Sequence, residues 1–525
     1  MKRKLKELMQ GLEYTQGAPR MPRPLGGQLR YTCLRGTEEL AVEGLAYDSR
    51  QECRGTVFFC ISGFTCDGHI FAREALEKGA AALVVEKEEL LPEEGVDGIT
   101  VLKVENARYA LALMSAAWFG HPAKELITIG ITGTKGKTTT AYMVHEILKE
   151  AGVLSGLIGT IEMKIGEEVI PAKHTTPESY VVQKTLRTMA DKGCRVAVME
   201  VSSQGLMLSR TEGFTFDYGI FTNLEPDHIG PKEHKSFQEY LECKAKLFQR
   251  CRQGILNADD PHLEEILISH TCRVETFGTQ GKGDWQGSRI SYEKEQGKLS
   301  VSFVAEHRTV EGGSHEGTER FPVTIGIPGG FHVSNALAAI AACRRLSLEY
   351  PTFFVRETHI QSALAGLRVR GRMEPVQVPG AYAVFIDYAH NAMSLKGMLR
   401  TVRAYHPRRL ICMFGCGGNR SKLRRYQMGE VSAALADLTV ITTDNPRFEE
   451  PRAIMEDIQT GAAKAKGEYV MIEDRKEAIR YCLGQARPGD VIVLAGKGHE
   501  SYQEIQGVKY PMDERKLVEE ILRES

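Results

Sequence analysis

Residues 130–140 read GITGTKGKTTT, directly after the apolar run 125–129 and directly before an amphipathic stretch. A strand that feeds a glycine-rich turn and then a helix presents backbone N–H groups and the helix N-terminus to an anion. Lys137 adds a positive charge at that spot, so the segment is expected to be a phosphate cradle. A full P-loop has glycine where Ile131 stands, so the match is to the shortened form Gly133, Thr134, Lys135, Gly136, Lys137, Thr138, with Thr138 placed to hold Mg²⁺. A glycine-rich turn before an ordinary helix is the alternative, and it does not account for Gly-Lys-Thr being correctly flanked on both sides.

A chain of 525 residues exceeds what one hydrophobic core organises. Roughly two to four domains are expected. With 42% hydrophobic and 26% charged residues it reads as globular and water-soluble. A net charge of -1 provides no overall field for nucleic acid or an anionic membrane, so an anionic ligand must be held by local basic groups. A small nucleotide suits that better than DNA. The start, MKRKLKELMQGLEY, lacks the apolar core of a signal peptide, and the longest apolar stretch, 110–119, is too short to span a bilayer. A cytoplasmic protein without membrane insertion is expected. The twelve cysteines include no CxxC pair, and neither Cys412 with Cys416 nor Cys60 with Cys66 has zinc-site spacing. Reduced, space-filling thiols are expected.

Three rhythms run along the chain. Up to about residue 120, strand-like runs at 45–50, 57–61 and 81–86 with a helix over 71–78 predict a small α/β unit. From 126 the cradle strand begins, followed by a helix bearing Ala141, Val144, Ile147, Leu148 and Ala151 and closed by Gly152. Buried strands are expected at 196–201, 219–224 and 254–257, then an antiparallel hairpin between 285 and 327. After 370, strand-like runs at 383–386, 410–414, 438–442, 469–472 and 491–494 alternate with helical stretches. That predicts a parallel, doubly wound sheet with ligands at the carboxyl ends of its strands. The polar motifs DYAH (387–390), GGNR (417–420), DNPR (444–447) and GKGHE (496–500) each follow such a strand.

A cradle alone does not distinguish hydrolase, kinase and ligase. VMEVSSQ places Glu200 at the end of a second buried strand, and TNLEPDH places Asp227 and His228 at the end of a third. A carboxylate and an imidazole beside a triphosphate suit magnesium ligation, although His228 also reads as a hydrogen-bonded turn histidine.

With these residues in view, the chain resembles the Mur ligases, the ATP-dependent enzymes that build the peptide stem of bacterial peptidoglycan. The likeness covers nearly everything beyond the first forty residues. It rests on Asp48-Ser49-Arg50, Asp67-Gly68-His69, GTKGKTTT, Thr175-Thr176-Pro177, MEVSSQ, GRMEPV, DYAHNA, DNPR and GKGHE. The resemblance implies an α/β protein of three domains. These are a small N-terminal domain for the UDP substrate (1–120), a central P-loop ATPase-like mixed-sheet domain (121–369) and a C-terminal Rossmann-like domain for the amino acid (370–525).

It also implies roles. Ser49 would contact the uridine nucleotide, and Thr175, Thr176, Ser202 and Arg210 the muramoyl dipeptide. Gly133, Thr134, Lys135, Gly136, Lys137, Thr138 and Thr139 would bind the ATP phosphates, with Asn335 near adenine and Arg372 and His390 reaching the nucleotide. Lys137, Glu200, His228 and Lys244 would be catalytic. Thr138, Glu200, His228 and Lys244 would hold Mg²⁺, Lys244 as a carbamate; read without the family it is an ordinary exposed helix lysine. Arg420, Asp444, Asn445, Pro446, Arg447, Gly496 and Glu500 would form the amino-acid site.

The implied reaction joins a diamino acid to UDP-N-acetylmuramoyl-dipeptide through an acyl phosphate, with closure of domains keeping water from that intermediate. Arg447 suits the distal carboxylate of meso-diaminopimelate and would be left unpaired by lysine. PDHIGPKEH and Gln204 look more like the lysine-adding branch, and Ser421, Tyr426, His332 and Ala392 depart from the common pattern, so the L-lysine ligase stays open here. A catalytically silent nucleotide-binding scaffold would be expected to lose Lys137, Glu200 or Lys244, and all three are present. A monomer is expected.

Overall fold

Strands covered on both faces read as continuous apolar runs. Val196–Glu200, Phe216–Phe221, Leu410–Phe414 and Val491–Ala495 are such runs, and each is an interior parallel strand in the computed structural model. The structure describes residues 2–10, 12–14, 29–63, 66–92, 95, 98–230, 233–295, 298–308, 319–465 and 467–524. They divide into two units, Met1–Thr276 and Phe277–Ser525.

The first sheet of unit 1 runs in the order Leu12–Tyr14, Leu29–Arg35, Thr100–Val104, Ala82–Val85, Thr56–Phe59, Gly44–Ala46. The helix Ala107–Trp118 covers one face; Asn106 starts it by accepting the Tyr109 N–H at 2.9 Å, a cap worth about 1 kcal/mol. Asp67 caps the next motif and takes His69 Nδ1 at 2.6 Å, while His69 Nε2 accepts the Glu86 N–H at 3.0 Å. The buried DGH histidine is therefore spent on local structure.

The second sheet places Glu168–Pro171, Glu162–Ile165, Ser155–Ile158, Val196–Glu200, Ile127–Thr132, Phe216–Phe221 and Cys251–Asn257 side by side, parallel from Ser155–Ile158 onward. Its register decides where chemistry happens. Glu200 lies opposite Ile131 and Phe221 opposite Thr132, so three neighbouring strands open together at the cradle. The chain continues on opposite sides of Ile127–Thr132, which makes this the switch point where open α/β sheets bind ligands.

Unit 2 begins with an antiparallel meander, Trp285–Glu295, Lys298–His307 and Glu319–Ile325, followed by the helices Phe331–Glu349 and Glu357–Ala365. Its second sheet has the order Glu374–Val376, Ala383–Asp387, Val491–Ala495, Leu410–Phe414, Leu438–Ile441, Tyr469–Met471, parallel apart from the first strand. Phe385 joins a cluster with Leu399 and Met455 on one face, and Val384 and Ile386 join Ile479 and Val518 on the other. Fully burying such side chains stabilises by about 1.5–3 kcal/mol each. Alternate residues thus seal both faces and leave ligands only the strand ends.

The cysteines are all free; ten are buried, Cys33 is half-buried and Cys66 exposed. Burial pushes the thiols of Cys60, Cys412 and Cys416 up to about 12, as expected of space-filling groups. Among the described residues no helix is long and apolar enough to cross a membrane.

Candidate active site

The helix Lys137–Glu150 starts from Gly136, whose φ of 87° is left-handed and suits glycine. Gly133 leaves no room for a Cβ because Thr222 Oγ1 occupies that space. Asn223 at the neighbouring strand end pins the loop: its carbonyl accepts the Thr134 N–H at 2.8 Å and its Oδ1 the Lys135 N–H at 2.9 Å. Thr138 and Thr139 follow as buried residues of the first turn. Lys137 Nζ donates to the carbonyls of Gly133 at 2.7 Å and Thr134 at 3.0 Å, and Lys135 pairs with Glu225. The cradle is therefore preformed, with the charge of Lys137 drawn back over its own loop.

Glu200 is buried at the hub. Its Oε2 accepts the Thr138 hydroxyl at 2.8 Å and the Thr160 hydroxyl at 3.0 Å, and its Oε1 accepts the Thr160 N–H at 2.7 Å. A hydroxyl and a carboxylate together at a phosphate cradle are hard oxygen donors suited to Mg²⁺. His228 is not brought into this pair. It is half-exposed at φ 54°, with Nδ1 3.1 Å from Glu233 Oε1, and no hydrogen bond or ion pair joins it to Glu200 or Thr138.

Lys244 overturns the expectation of an exposed helix lysine. On Phe237–Ala245, capped by Ser236, it stands one turn after Tyr240 on the buried face and is 1% exposed. Its Nζ donates to the Gly133 carbonyl at 2.7 Å and lies 4.5 Å from the centre of the Tyr240 ring. Burial, reinforced by the Lys137 charge, holds its ammonium well below the usual lysine range. Two lysines thus converge on one carbonyl.

The residues expected at the dipeptide form a chain of bonds from Glu200. Its carbonyl accepts the Thr176 hydroxyl, whose oxygen accepts the Ser202 N–H; Ser202 caps the helix Ser203–Met207, and Thr175 Oγ1 lies 3.1 Å from the Thr160 hydroxyl oxygen. Arg210 donates to the Thr176 carbonyl and to Glu178, which also binds Arg108. Arg108, Asn106, Ser62 and Met207 line a cleft of about 430 Å³. Ser49 is buried with its hydroxyl given to Glu74 at 2.7 Å.

In unit 2, Asn335 lies 3.3 Å from His332 Nδ1, and burial together with the Arg372 charge holds that histidine down to about 3. Arg372 stands over the Tyr388 ring, and His390 Nδ1 meets the Tyr388 carbonyl at 2.9 Å. His332 Nε2 and Arg372 Nε are buried without a hydrogen-bond partner among the described residues.

The four polar motifs do gather. Buried Lys497 donates to Asn445 Oδ1 at 2.8 Å and to Glu500 at 2.9 Å, and Asn445 Nδ2 donates to Glu500 at 2.9 Å. Asp444 and Pro446 are buried beside them, and a Cβ on Gly496 would stand 3.0 Å from Asp444 Oδ2. Arg420 is exposed. Arg447, at φ 53°, donates through Nη1 to the Gly418 carbonyl at 2.7 Å and through Nε to Glu504 at 3.2 Å. It already has an anionic partner in the chain, which corrects the expectation that lysine would leave it unpaired.

Family models tile the chain: "Mur ligase family, catalytic domain" over residues 41–118, "Mur ligase middle domain" over 131–343 and "Mur ligase, glutamate ligase domain" over 371–498. The UDP-N-acetylmuramoyl-L-alanyl-D-glutamate–2,6-diaminopimelate ligase of Clostridium perfringens is 39% identical over 503 residues, covering 94% of this chain and 98% of that one. The chain belongs to the Mur ligase family. A Caldanaerobacter subterraneus protein of the same description is 39% identical over 493 residues, covering 94% of this Mur ligase and 97% of its own length. A solved structure so described superposes with a TM-score of 0.63 at 28% identity, covering 92% of this chain and 95% of the other. A MurF from Acinetobacter baumannii, at 18% identity and a TM-score of 0.60, covers 100% of this chain and 99% of its own and shares the fold.

Thr160, Asn223, Lys497 and Glu504 were missed by sequence reasoning. For Asn223 a signal existed, since TN follows a buried run, and for Lys497 as well, since it lies within GKGHE; Thr160 and Glu504 sit among ordinary polar residues.

Proposed function

We propose that this Mur ligase joins meso-diaminopimelate to UDP-N-acetylmuramoyl-L-alanyl-D-glutamate, consuming ATP and releasing ADP and phosphate. Residues 1–120 take the UDP moiety, 121–369 ATP, and 370–525 the diamino acid. The carrying observation is the junction of cradle and dipeptide residues through Glu200, whose carboxylate holds Thr138 and whose carbonyl holds Thr176. It ties a phosphate site to an acceptor site within one sheet edge.

The cradle residues 133–139 bind the ATP phosphates, and Lys137 leaves its loop carbonyls to neutralise the γ-phosphate as the D-glutamyl carboxylate attacks. The product acyl phosphate is then taken by the amine, whose proton is lost as phosphate departs. Thr138 and Glu200 are the residues that hold Mg²⁺, which when bound offsets charge on the transferring group. The lowered ammonium range supports a carbamate at Lys244: the neutral amine adds CO₂ and releases one proton, exchanging a buried neutral amine for an anion. The cleft at Asn106 and Arg108 supports entry of the nucleotide beside Ser202 and Arg210. The unpartnered His332 Nε2 and Arg372 Nε, near Asn335, support nucleotide contact from His390 and Arg372.

Phosphate release from ATP with the dipeptide nucleotide, measured separately with meso-diaminopimelate and L-lysine, tests this. Turnover with the first at higher kcat/KM is expected. Turnover with L-lysine at least as efficient overturns the substrate assignment, and release with neither overturns the ligase.

A further inference from the structure

His234, the last residue of PDHIGPKEH, is fully buried between two elements of unit 1. On one side its Nε2 lies 2.9 Å from the hydroxyl oxygen of Ser203, the first residue of the helix Ser203–Met207. On the other its ring packs on Tyr240, with 5.2 Å between centres, one turn before Lys244 on the helix Phe237–Ala245. Its backbone is held as well: the N–H donates to the His228 carbonyl and the carbonyl accepts the Gly230 N–H, each at 3.0 Å.

Packing alone does not call for an imidazole here. Its Nδ1 is buried with no hydrogen-bond partner among the described residues, and Glu239 Oε2 stands off at 4.0 Å. A leucine would fill the volume without stranding a polar atom, so the ring is favoured by what Nε2 does. What Nε2 does is hold Ser203.

Ser203 is buried and follows Ser202, whose N–H reaches Thr176 Oγ1 at 2.9 Å and whose hydroxyl caps the helix. The fit there is tight: a Cβ on Gly205 would stand 2.6 Å from Thr176 Cγ2. A small slide of this helix therefore moves Ser202 and Thr176 together. On the far side of His234, the Tyr240 hydroxyl lies 2.9 Å from Thr134 Oγ1 in the cradle loop. His234 thus spans the distance from the helix behind Ser202 to the ring that meets the cradle.

We infer that His234 is a positioning residue: through Ser203 it fixes Ser202 and Thr176 against the cradle, and so sets where the acceptor carboxylate of the dipeptide lies relative to the transferring phosphate. This rests on the placement of the dipeptide at Ser202 and Thr176 proposed above. In the full-length enzyme, His234→Leu removes the bond and keeps the volume, Ser203→Ala removes it from the other end, and His234→Gln offers an amide in place of Nε2. The first two should each lower kcat/KM for the dipeptide nucleotide about 10- to 100-fold while the KM for ATP stays within about twofold. Because both break one contact, the double variant should lose no more than about twice what either loses alone, and His234→Gln should return to within about threefold of wild type.

A KM for ATP that climbs in step with that for the dipeptide nucleotide would make His234 ordinary core and overturn the inference. Losses that multiply in the double variant overturn it too. So does full efficiency in Ser203→Ala, which deletes one oxygen and decides the matter even if His234→Leu does not fold. Wild-type enzyme that releases no phosphate with the dipeptide nucleotide overturns the acceptor assignment and this inference with it; wild-type turnover with unchanged variants overturns this inference alone.

Discussion

The glycine-rich cradle in unit 1 and the polar loops 417–420, 444–447 and 496–500 in unit 2 both sit at the carboxyl ends of parallel strands, yet they hold charge in opposite ways. In the cradle the ionisable groups are sunk into protein: Glu200 and Lys244 are each 1% exposed, and their partners are hydroxyls and backbone groups, not counter-ions. In the polar loops of unit 2 the charges are matched in pairs whatever their depth, buried Lys497 with Glu500 and half-buried Arg447 with Glu504. An unmatched buried charge is stable only when a ligand completes it, so the cradle should respond to substitution in an all-or-none way. A surface matched by its own pairs gives graded responses that fall on one substrate.

The largest effect is expected at Lys137. Lys137→Ala removes the mobile charge and no core volume, so kcat should fall by at least about 10²–10³-fold with the fold intact. Near-normal turnover at saturating ATP in a folded protein would break the comparison at once.

Lys244→Ala should be nearly as damaging, on the order of 10²-fold or more, and acetate should restore part of the activity by supplying the missing anion. Stability should move the other way. The folded-state pKa of Lys244 lies below its unfolded value near 10.5, so the unfolded chain binds the extra proton and stability rises as pH climbs toward 10.5. Lys244→Met should raise Tm at neutral pH in bicarbonate-free buffer and flatten that slope; a drop in Tm would sink the account of a lysine destabilised by burial.

At Arg447 the response should be graded. An unpaired charge costs about 2–5 kcal/mol, but Glu504 remains as partner, which places discrimination at the low end, roughly thirty-fold. Arg447→Ala should raise the KM for meso-diaminopimelate by about that factor and narrow its advantage over L-lysine, leaving the KM for ATP little changed. Comparable losses with both diamino acids would show that the loop had collapsed.

The smallest effect concerns His332. Its folded-state pKa of about 3 lies below the unfolded value near 6.5, so the unfolded chain binds more protons as pH falls through that window. Stability should therefore decline below about pH 6.5, by on the order of 1–3 kcal/mol at pH 4, and His332→Leu should lessen the decline in urea titrations. An unchanged slope would show that other groups govern acid sensitivity.

Much of this is legible in the amino-acid sequence. All five parallel strands of the C-terminal sheet were visible, the four inner ones because burial on both faces writes an apolar run. The antiparallel strands Glu162–Ile165, Glu168–Pro171 and Tyr502–Ile505 were not: they are short and rich in polar residues, with no long apolar run to betray them. Glu200 and the glycine loop were readable from the spacing that backbone geometry imposes. The burial of Lys244 was not, since it depends on which face of a helix meets the Gly133 loop more than a hundred residues earlier in the chain. Glu504 was invisible for the same reason: its meaning comes from a loop 57 residues away.

The buried thiols give the chain a clock of its own. Cys60, Cys243, Cys343 and Cys412 lie beneath the first sheet, beside Lys244, within the long helix of unit 2 and in its last sheet. An alkylating reagent reaches such sulfurs only when their surroundings open, and burial further suppresses the reactive thiolate. The rate at which each is tagged, followed by peptide mass, therefore reads the opening free energy of its own neighbourhood. Adding nucleotide should slow the tagging of Cys243 while leaving that of Cys60 unchanged, so the chain can report where a ligand lands without any engineered label.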